Sequence, residues 1–417
     1  MRRTTLGFGL GCVLLCACFQ EHAEQPALSG ARERVEHEGA ARAAPSAASS
    51  EAEPTRPLDA GAPSVPHPAA SPSEPPPITP PVVEIPEVGD DAGTSEPSAP
   101  VRSVSTFNRA TCALLEDGSV RCWGDNTWGQ LGDGTFENRL RPVQVRELQS
   151  VVQLDVGLLR ACAVMQDGQL RCWGDNTWDV MRVGDEEDHN LPVTVQGVER
   201  AVQVSLGEHQ TCVRRSDSTL ECWGYPHRTE LNVQGERDVV DVEAGYFLTT
   251  ATLADGSVRS WGMNSLAGQI DVASSRAVSS GYGFVCTLAQ DASVRCKGIY
   301  IVRDEVGVPV DGVVQGLRSI ASMSSGFEHS CAVTQQGKVY CWGRNNRGQL
   351  GDGSTTHSLE AREVVGLDHV VEVTCGREHS CAHKADGSVY CWGSNDLGEL
   401  GDGTTTERHT PVAVIGL

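Results

Sequence analysis

One segment of fourteen residues returns seven times in this 417-residue chain, and it constrains the fold more than any other feature. It reads TCALLEDGSVRCWG (111–124), ACAVMQDGQLRCWG (161–174), TCVRRSDSTLECWG (211–224) and TTATLADGSVRSWG (249–262). It continues as VCTLAQDASVRCKG (285–298), SCAVTQQGKVYCWG (330–343) and SCAHKADGSVYCWG (380–393). Each copy has the form of a β-hairpin: a short apolar strand, a turn at Asp-Gly or a variant of it, and a second strand ending at Trp-Gly. Short runs broken by turn residues argue against helical repeats.

Stacking the copies exposes two apolar columns. Eight residues before the first cysteine position stand Val104, Leu154, Val204, Val242, Val278, Met323 and Val373. Eight after it stand Val120, Leu170, Leu220, Val258, Val294, Val339 and Val389. Columns apolar in all seven copies are core positions. Copies 36 to 50 residues apart, each with several short strands, predict an all-β fold, a seven-bladed β-propeller over residues 101–417. The chain stops after Val412-Ala413-Val414-Ile415-Gly416-Leu417, and the strand expected next matches Val101–Thr106. One blade is therefore expected to take strands from both termini.

The fullest copies, HSCAVTQQGKVYCWGRNNRGQLGDGS (329–354) and HSCAHKADGSVYCWGSNDLGELGDGT (379–404), resemble the regulator of chromosome condensation repeat family. The resemblance covers essentially all of 101–417 and implies seven-bladed propellers. It implies two contrasting activities. Exported bacterial members include an inhibitor of β-lactamase that binds through one propeller face, whereas the eukaryotic founder is a guanine-nucleotide exchange factor.

Twelve of the sixteen cysteines form pairs ten residues apart: Cys112–Cys122, Cys162–Cys172, Cys212–Cys222, Cys286–Cys296, Cys331–Cys341 and Cys381–Cys391. Across a three-residue hairpin loop such positions face one another within disulfide reach. In the fourth copy both are replaced together, by Thr250 and Ser260, as expected of residues useful only as pairs. One pair per blade cannot converge as the four ligands zinc needs, so no metal is expected. Cys375 is left over, in a column otherwise small or apolar, which predicts a buried free thiol.

The remaining chemistry-bearing residues read as structural. His209, His329 and His379 come from different copies, with no recurrent nucleophile beside them. The Gly-Asp-Gly loops at 132–134, 351–353 and 401–403 offer one carboxylate each, thin for calcium and ordinary for a tight turn. Trp123, Trp173, Trp223, Trp261, Trp342 and Trp392 read as packing between blades. No catalytic residue and no cofactor is expected. Copies two to five lose the Gly-Gln/Glu-Leu-Gly-Asp-Gly loop, and short loops before the first cysteine position carry Tyr246, Phe247, Tyr282, Phe284 and Phe327. Aromatic residues on clustered loops suit partner binding.

Outside the repeats, Arg2-Arg3, an apolar run at 6–15 and Leu15-Cys16-Ala17-Cys18 resemble a bacterial lipoprotein leader, residues 1–18, with Cys18 as the lipid site. Phe19 in the next position, rather than the Asp that often retains lipoproteins at the inner membrane, favours the outer membrane or cell surface; the alternative is a periplasmic or secreted protein. Residues 19–100 hold 16 of the 21 prolines and too few apolar side chains to fold, and read as a disordered tether. Residues 101–417 carry 41 acidic against 27 basic residues, which argues against nucleic acid. The expected function is a monomeric, membrane-anchored module that binds a protein or a surface polymer. The alternatives are nucleotide exchange, which export opposes, and glycan cleavage, for which no carboxylate pair stands out.

Overall fold

The computed structural model describes residues 99–208, 210–224, 234–246, 248–262, 268–270, 275–303 and 306–417. The leader, the lipid site Cys18, most of the tether, His209 and Phe247 lie outside the described residues. The described chain forms seven four-stranded antiparallel sheets, the blades of a propeller. Blade 1 is Val101–Phe107, Ala110–Leu115, Val120–Gly124 and Arg139–Gln144. Blade 7 is Val370–Cys375, His379–Lys384, Val389–Gly393 and Arg408–Ala413.

The hairpin turns show why Asp-Gly recurs. In blade 1 the Asp117 carboxylate accepts bonds from the Ser119 amide (2.9 Å) and hydroxyl (2.7 Å), while Gly118 takes φ +78°. A Cβ on Gly118 would come within 3.0 Å of the Ser150 backbone, because the turn nests against the next blade. The Gly118 carbonyl accepts the Val151 amide there, tying blade 1 to blade 2.

Both apolar columns are core, with Met323 alone only half-buried. The six cysteine pairs lie in register on the second and third strands of their blades, Cα atoms 4.0–4.1 Å apart, and are bridged. Thr250 and Ser260 hold the same register in blade 4. Trp123, Trp173, Trp223 and Trp392 are buried, and each indole donates to a loop carbonyl of the preceding blade at 2.9–3.0 Å. Trp342 donates instead to the hydroxyl of Tyr300, a fully buried residue that fills the blade 5–6 seam.

Ring closure differs from the expectation. No blade takes strands from both termini; all seven are contiguous in sequence. Val101–Phe107 reaches its hydrogen-bonding partner Ala110–Leu115 through a two-residue turn with Asn108 at φ +40°, so the loop-closure cost is small. Arg408–Ala413 is already the fourth strand of blade 7. The expected neighbourhood is nevertheless present, because Val101–Phe107 lies beside blade 7 as the inner strand of blade 1. Its Val104 amide donates to Glu372 (2.9 Å), and the Gly403 amide of blade 7 donates to Leu140 (2.9 Å). Side chains and loops, rather than a shared sheet, close the ring.

Candidate binding face on the propeller axis

The first strand of every blade lines the axis. Seven residues before each first cysteine position stand Ser105, Asp155, Ser205, Glu243, Ser279, Ser324 and Thr374. Six of these accept a hydrogen bond from a backbone amide of the next blade. Ser105 accepts from Val156 (3.1 Å), Asp155 from Leu206 (2.7 Å) and Ser205 from Ala244 (2.9 Å). Ser279 accepts from Ser325 (2.8 Å), Ser324 from Cys375 (3.1 Å) and Thr374 from Thr106 (3.2 Å). These bonds form a polar collar with one gap. No hydrogen bond among the described residues reaches the Glu243 carboxylate, and its blade 4–5 seam also carries exposed Lys297 where other blades have tryptophan. A cleft of about 310 Å³, lined in part by Val240, Thr252, Arg276 and Gln290, opens at the same seam.

Two residues earlier on the same strands stand Ser103, Gln153, Gln203, Asp241, Ala277, Ser322 and Glu372. The channel thus collects four carboxylates and no basic side chain at these fourteen positions. Burial raises the Asp155 carboxyl to about 6 and Glu372 to about 7. Glu243 is pushed well up, by burial and then by the charges of Asp155 and Asp241.

At one end, the loops joining first to second strands meet those joining third to fourth; the Asp125 amide, for instance, donates to Arg109 (2.9 Å). Across the mouth of the axis the Tyr282 amide donates to Phe327 (2.9 Å), that of Phe327 to Gly376 (3.2 Å), and that of Arg377 to Asn108 (3.0 Å). Such close passage needs glycine. A Cβ on Gly326 would stand 2.1 Å from the Gly376 carbonyl oxygen. Six blades have glycine in this column, and blade 1 has Phe107. Its ring stacks on Tyr246 of blade 4 with centroids 4.6 Å apart. Tyr246 meets Phe327 edge-on at 4.6 Å and Tyr282 at 5.9 Å, and Tyr282 packs on Phe327 at 4.3 Å. The Arg377 guanidinium sits 5.0 Å above the Phe327 ring.

The structure therefore brings together Tyr246, Tyr282 and Phe327, but as an interlocked plug rather than a scatter of exposed rings. Tyr246 is 5% exposed, and Tyr282 and Phe327 are half-buried. Phe284 does not belong to the face. It is buried inside blade 5, stacked on Tyr300 at 3.9 Å, because its position starts the second strand and points into the core. Phe107 was missed, although an aromatic in a column of glycines was a readable signal.

His329 and His379 are buried, and their Nε2 atoms pair with Ser380 (2.8 Å) and Thr111 (3.0 Å) of the next blade. Burial lowers both to about 3, so they stay neutral and structural. The Cys375 thiol donates to the Ser324 carbonyl (3.4 Å), and burial pushes it up to about 12. Among the described residues, His329, Cys331 and Cys375 alone place three metal-binding atoms within 4.8 Å, and the Cys331 sulfur is spent in a disulfide. The Asp133 carboxylate is consumed by its own loop, accepting from Thr135 (2.9 and 2.7 Å) and Arg139 (2.7 Å). Those bonds outweigh burial and hold it below the usual carboxylate range.

The loops of blades 2 and 5 show what loss of the regular motif does. Blade 2 keeps the geometry: Asn176 Oδ1 accepts from Met181 (3.0 Å) as Asn126 Oδ1 does from Leu131 (2.9 Å). Blade 5 replaces the loop by extending its outer strands, Val294–Arg303 and Val306–Val313, into a projecting hairpin on the same face.

Two family models, both described as regulator of chromosome condensation repeat, match the chain. One matches residues 101–130, 151–177, 320–349 and 370–399, the other 117–159, 336–383 and 386–417. Among curated proteins, the E3 ubiquitin-protein ligase HERC2 of human and of mouse is 42% identical over 64 residues. That stretch is 15% of this chain, and the chain spans about 1% of the length of those relatives. Among solved structures, Prp20p from Saccharomyces cerevisiae, described with its binding to Gsp1p and histones, superposes with a TM-score of 0.63 at 16% identity, covering 76% of this chain and 88% of that one. Human WBSCR16 superposes with a TM-score of 0.62 at 18% identity, covering 72% and 94%. At such identities the likeness shows the fold alone.

Proposed function

Because the chain is a propeller of regulator of chromosome condensation repeats, we propose that it works by binding a protein partner, through the loop face that carries the aromatic plug. The observation that carries this reading is the plug itself. Four aromatic side chains from blades 1, 4, 5 and 6 converge at the mouth of the axis, where a propeller needs only glycine and small polar residues to close. Rigid aromatic groups at the centre of a loop face are the usual energetic anchors of protein interfaces. The blade 5 hairpin adds exposed Ile299 on the same face. Binding of Gsp1p and histones belongs to Prp20p, and no residue described above favours nucleotide exchange here.

The test is in-cell crosslinking of the full chain followed by recovery of its partner. Tyr282→Ala with Phe327→Ala should abolish recovery, whereas Asp167→Ala on a turn at the opposite end should leave it intact. Loss with Asp167→Ala and not with the aromatic pair would overturn the reading. Export and anchoring at Cys18 form the second part of the proposal. They are supported by the leader pattern and by six disulfides, which persist in oxidising compartments. Labelled palmitate should be incorporated by the full chain and not by Cys18→Ser, which should also leave the membrane fraction; equal labelling of both would refute the lipid site.

A further inference from the structure

We infer that the mouth of the axis receives a cationic side chain, the guanidinium or ammonium group of a basic segment in the partner, seated against Tyr246 and Phe327 beside the carboxylate of Glu378. The inference rests on the reading of this face as the binding face and specifies its chemistry.

Three observations point the same way. First, the hydroxyl of Tyr246 is buried, on a side chain 5% exposed, and has no hydrogen-bond partner among the described residues. Burial raises its pKa, and the charges that act on it are Arg377, Glu208, Glu328 and Glu378, so the hydroxyl points into a charged, mainly acidic setting. A buried hydroxyl without a partner has an unused lone pair, which a cationic N–H would satisfy, and an unused O–H, which a carboxylate would. Second, the plug already holds one cation. Arg377, exposed, lies over the Phe327 ring, which shows that the ring faces of this mouth suit a guanidinium. Glu328 is committed to Arg344, while among the described residues the Glu378 carboxylate accepts a single 3.5 Å bond, from Asn346. Third, the axis beneath the plug carries Asp155, Asp241, Glu243 and Glu372 without a basic residue at the channel-facing positions. Asp155, raised only to about 6, keeps its charge at neutral pH, and a walled channel focuses that charge along its axis toward the mouth, whereas Glu243 and Glu372, pushed well up by burial, add less. The channel carboxylates belong to no group of three metal-binding atoms within 4.8 Å of one another, so a long basic side chain suits this field better than a coordinated ion does.

The test titrates the oxidised full chain with tetra-arginine, tetra-lysine and tetra-glutamate by calorimetry at low and at high salt. Tetra-arginine is expected to bind and to weaken with salt, and tetra-glutamate to give no heat. Glu378→Gln should weaken tetra-arginine about tenfold, and Tyr246→Phe, which keeps the ring and removes only the hydroxyl, about threefold or more. Arg377→Ala removes the resident cation and should strengthen binding severalfold, a gain that a purely structural role would not produce. Asp167→Asn, far from the mouth, should change nothing. Absence of tetra-arginine binding at low salt overturns the inference. So does binding indifferent to Glu378→Gln, Tyr246→Phe and Arg377→Ala, which would mark general attraction to an acidic protein. If partner recovery persists and still depends on Tyr282 and Phe327 while tetra-arginine fails, the cation inference falls and the binding face stands. If recovery ignores the aromatic pair, the face itself is wrong.

Discussion

The fourth blade is the natural place to test how the ring is held, because it lacks a staple that six others have. Thr250 and Ser260 are buried, face one another in the register of the six bridged pairs, and are replaced here by cysteine: Thr250→Cys with Ser260→Cys. In the chain-entropy account, closing the eleven residues from 250 to 260 removes about 3 kcal/mol of freedom from the unfolded chain. Against this stand the losses of both hydroxyls. Thr250 Oγ1 shares a hydrogen bond with Ser280 Oγ across the blade 4–5 seam at 3.0 Å and donates to the Glu243 carbonyl at 3.5 Å, and Ser260 gives up a contact of its own, together about 1–2 kcal/mol. The net gain is about 1–2 kcal/mol. If the ring unfolds as one unit, a domain of this size gains roughly 2 °C in Tm. Mass spectrometry confirms the seventh bond, and non-reducing urea unfolding reads the gain against wild type and against Thr250→Cys alone. A bond that forms fully while the midpoint stays or falls would refute the reasoning, since the hairpin would then already be closed in the unfolded chain.

Three other outcomes follow from the same structure. Glu243→Ser supplies the residue type the collar uses elsewhere and removes a carboxyl whose folded-state pKa is raised; wild type loses stability as pH rises from the ordinary glutamate range through that raised value, so the variant's advantage in urea midpoint should grow from pH 5 to pH 8, and a constant difference would count against the collar. Trp173→Ala empties a fully buried site and orphans the Gln130 carbonyl, and should cost about 3–5 kcal/mol by the same measurement; a loss below 1 kcal/mol would show the seam relaxing around the gap. Cys375, buried and raised to about 12, should resist iodoacetamide at pH 8 in the native protein and react after unfolding without reduction; rapid native labelling would contradict its burial.

Much of this fold is legible in the sequence because repetition turns each position into seven observations. A column apolar in every copy has one explanation, and paired absence at Thr250 and Ser260 reveals pairing more clearly than any single cysteine. What escaped depends on contacts between copies. Whether Val101–Phe107 joins blade 7 or blade 1 cannot be read from its residues, because it lies beside both, and the short turn at Asn108 decides it. Phe284 looked like a loop aromatic because it follows Gly283, yet its column elsewhere holds Ala110, Arg160, Leu248 and buried histidines. That column was a usable warning. The collar was also visible as a column polar in all seven copies, but its bonds run to backbone amides, which leave no trace in sequence. Blade 2 shows the converse: Asn176 keeps the loop geometry after most of the motif is gone.

Contiguous blades carry a consequence for how such a ring can be cut. The seam between blades 7 and 1 uses the same collar bond, indole bond and loop bonds as the internal seams, and Ala99 and Leu417 pack in one apolar cluster there. A circular permutant that joins 417 to 99 and opens between blades 4 and 5 would keep every sheet whole. It would also change which contacts span the greatest sequence distance, among the hydrogen bonds now the 295 residues between Arg121 and Gly416, and so which seam bears the largest loop-closure entropy. In the natural order that burden falls on a seam with a complete set of latches, and in the permutant it would fall on the one with a gap in its collar.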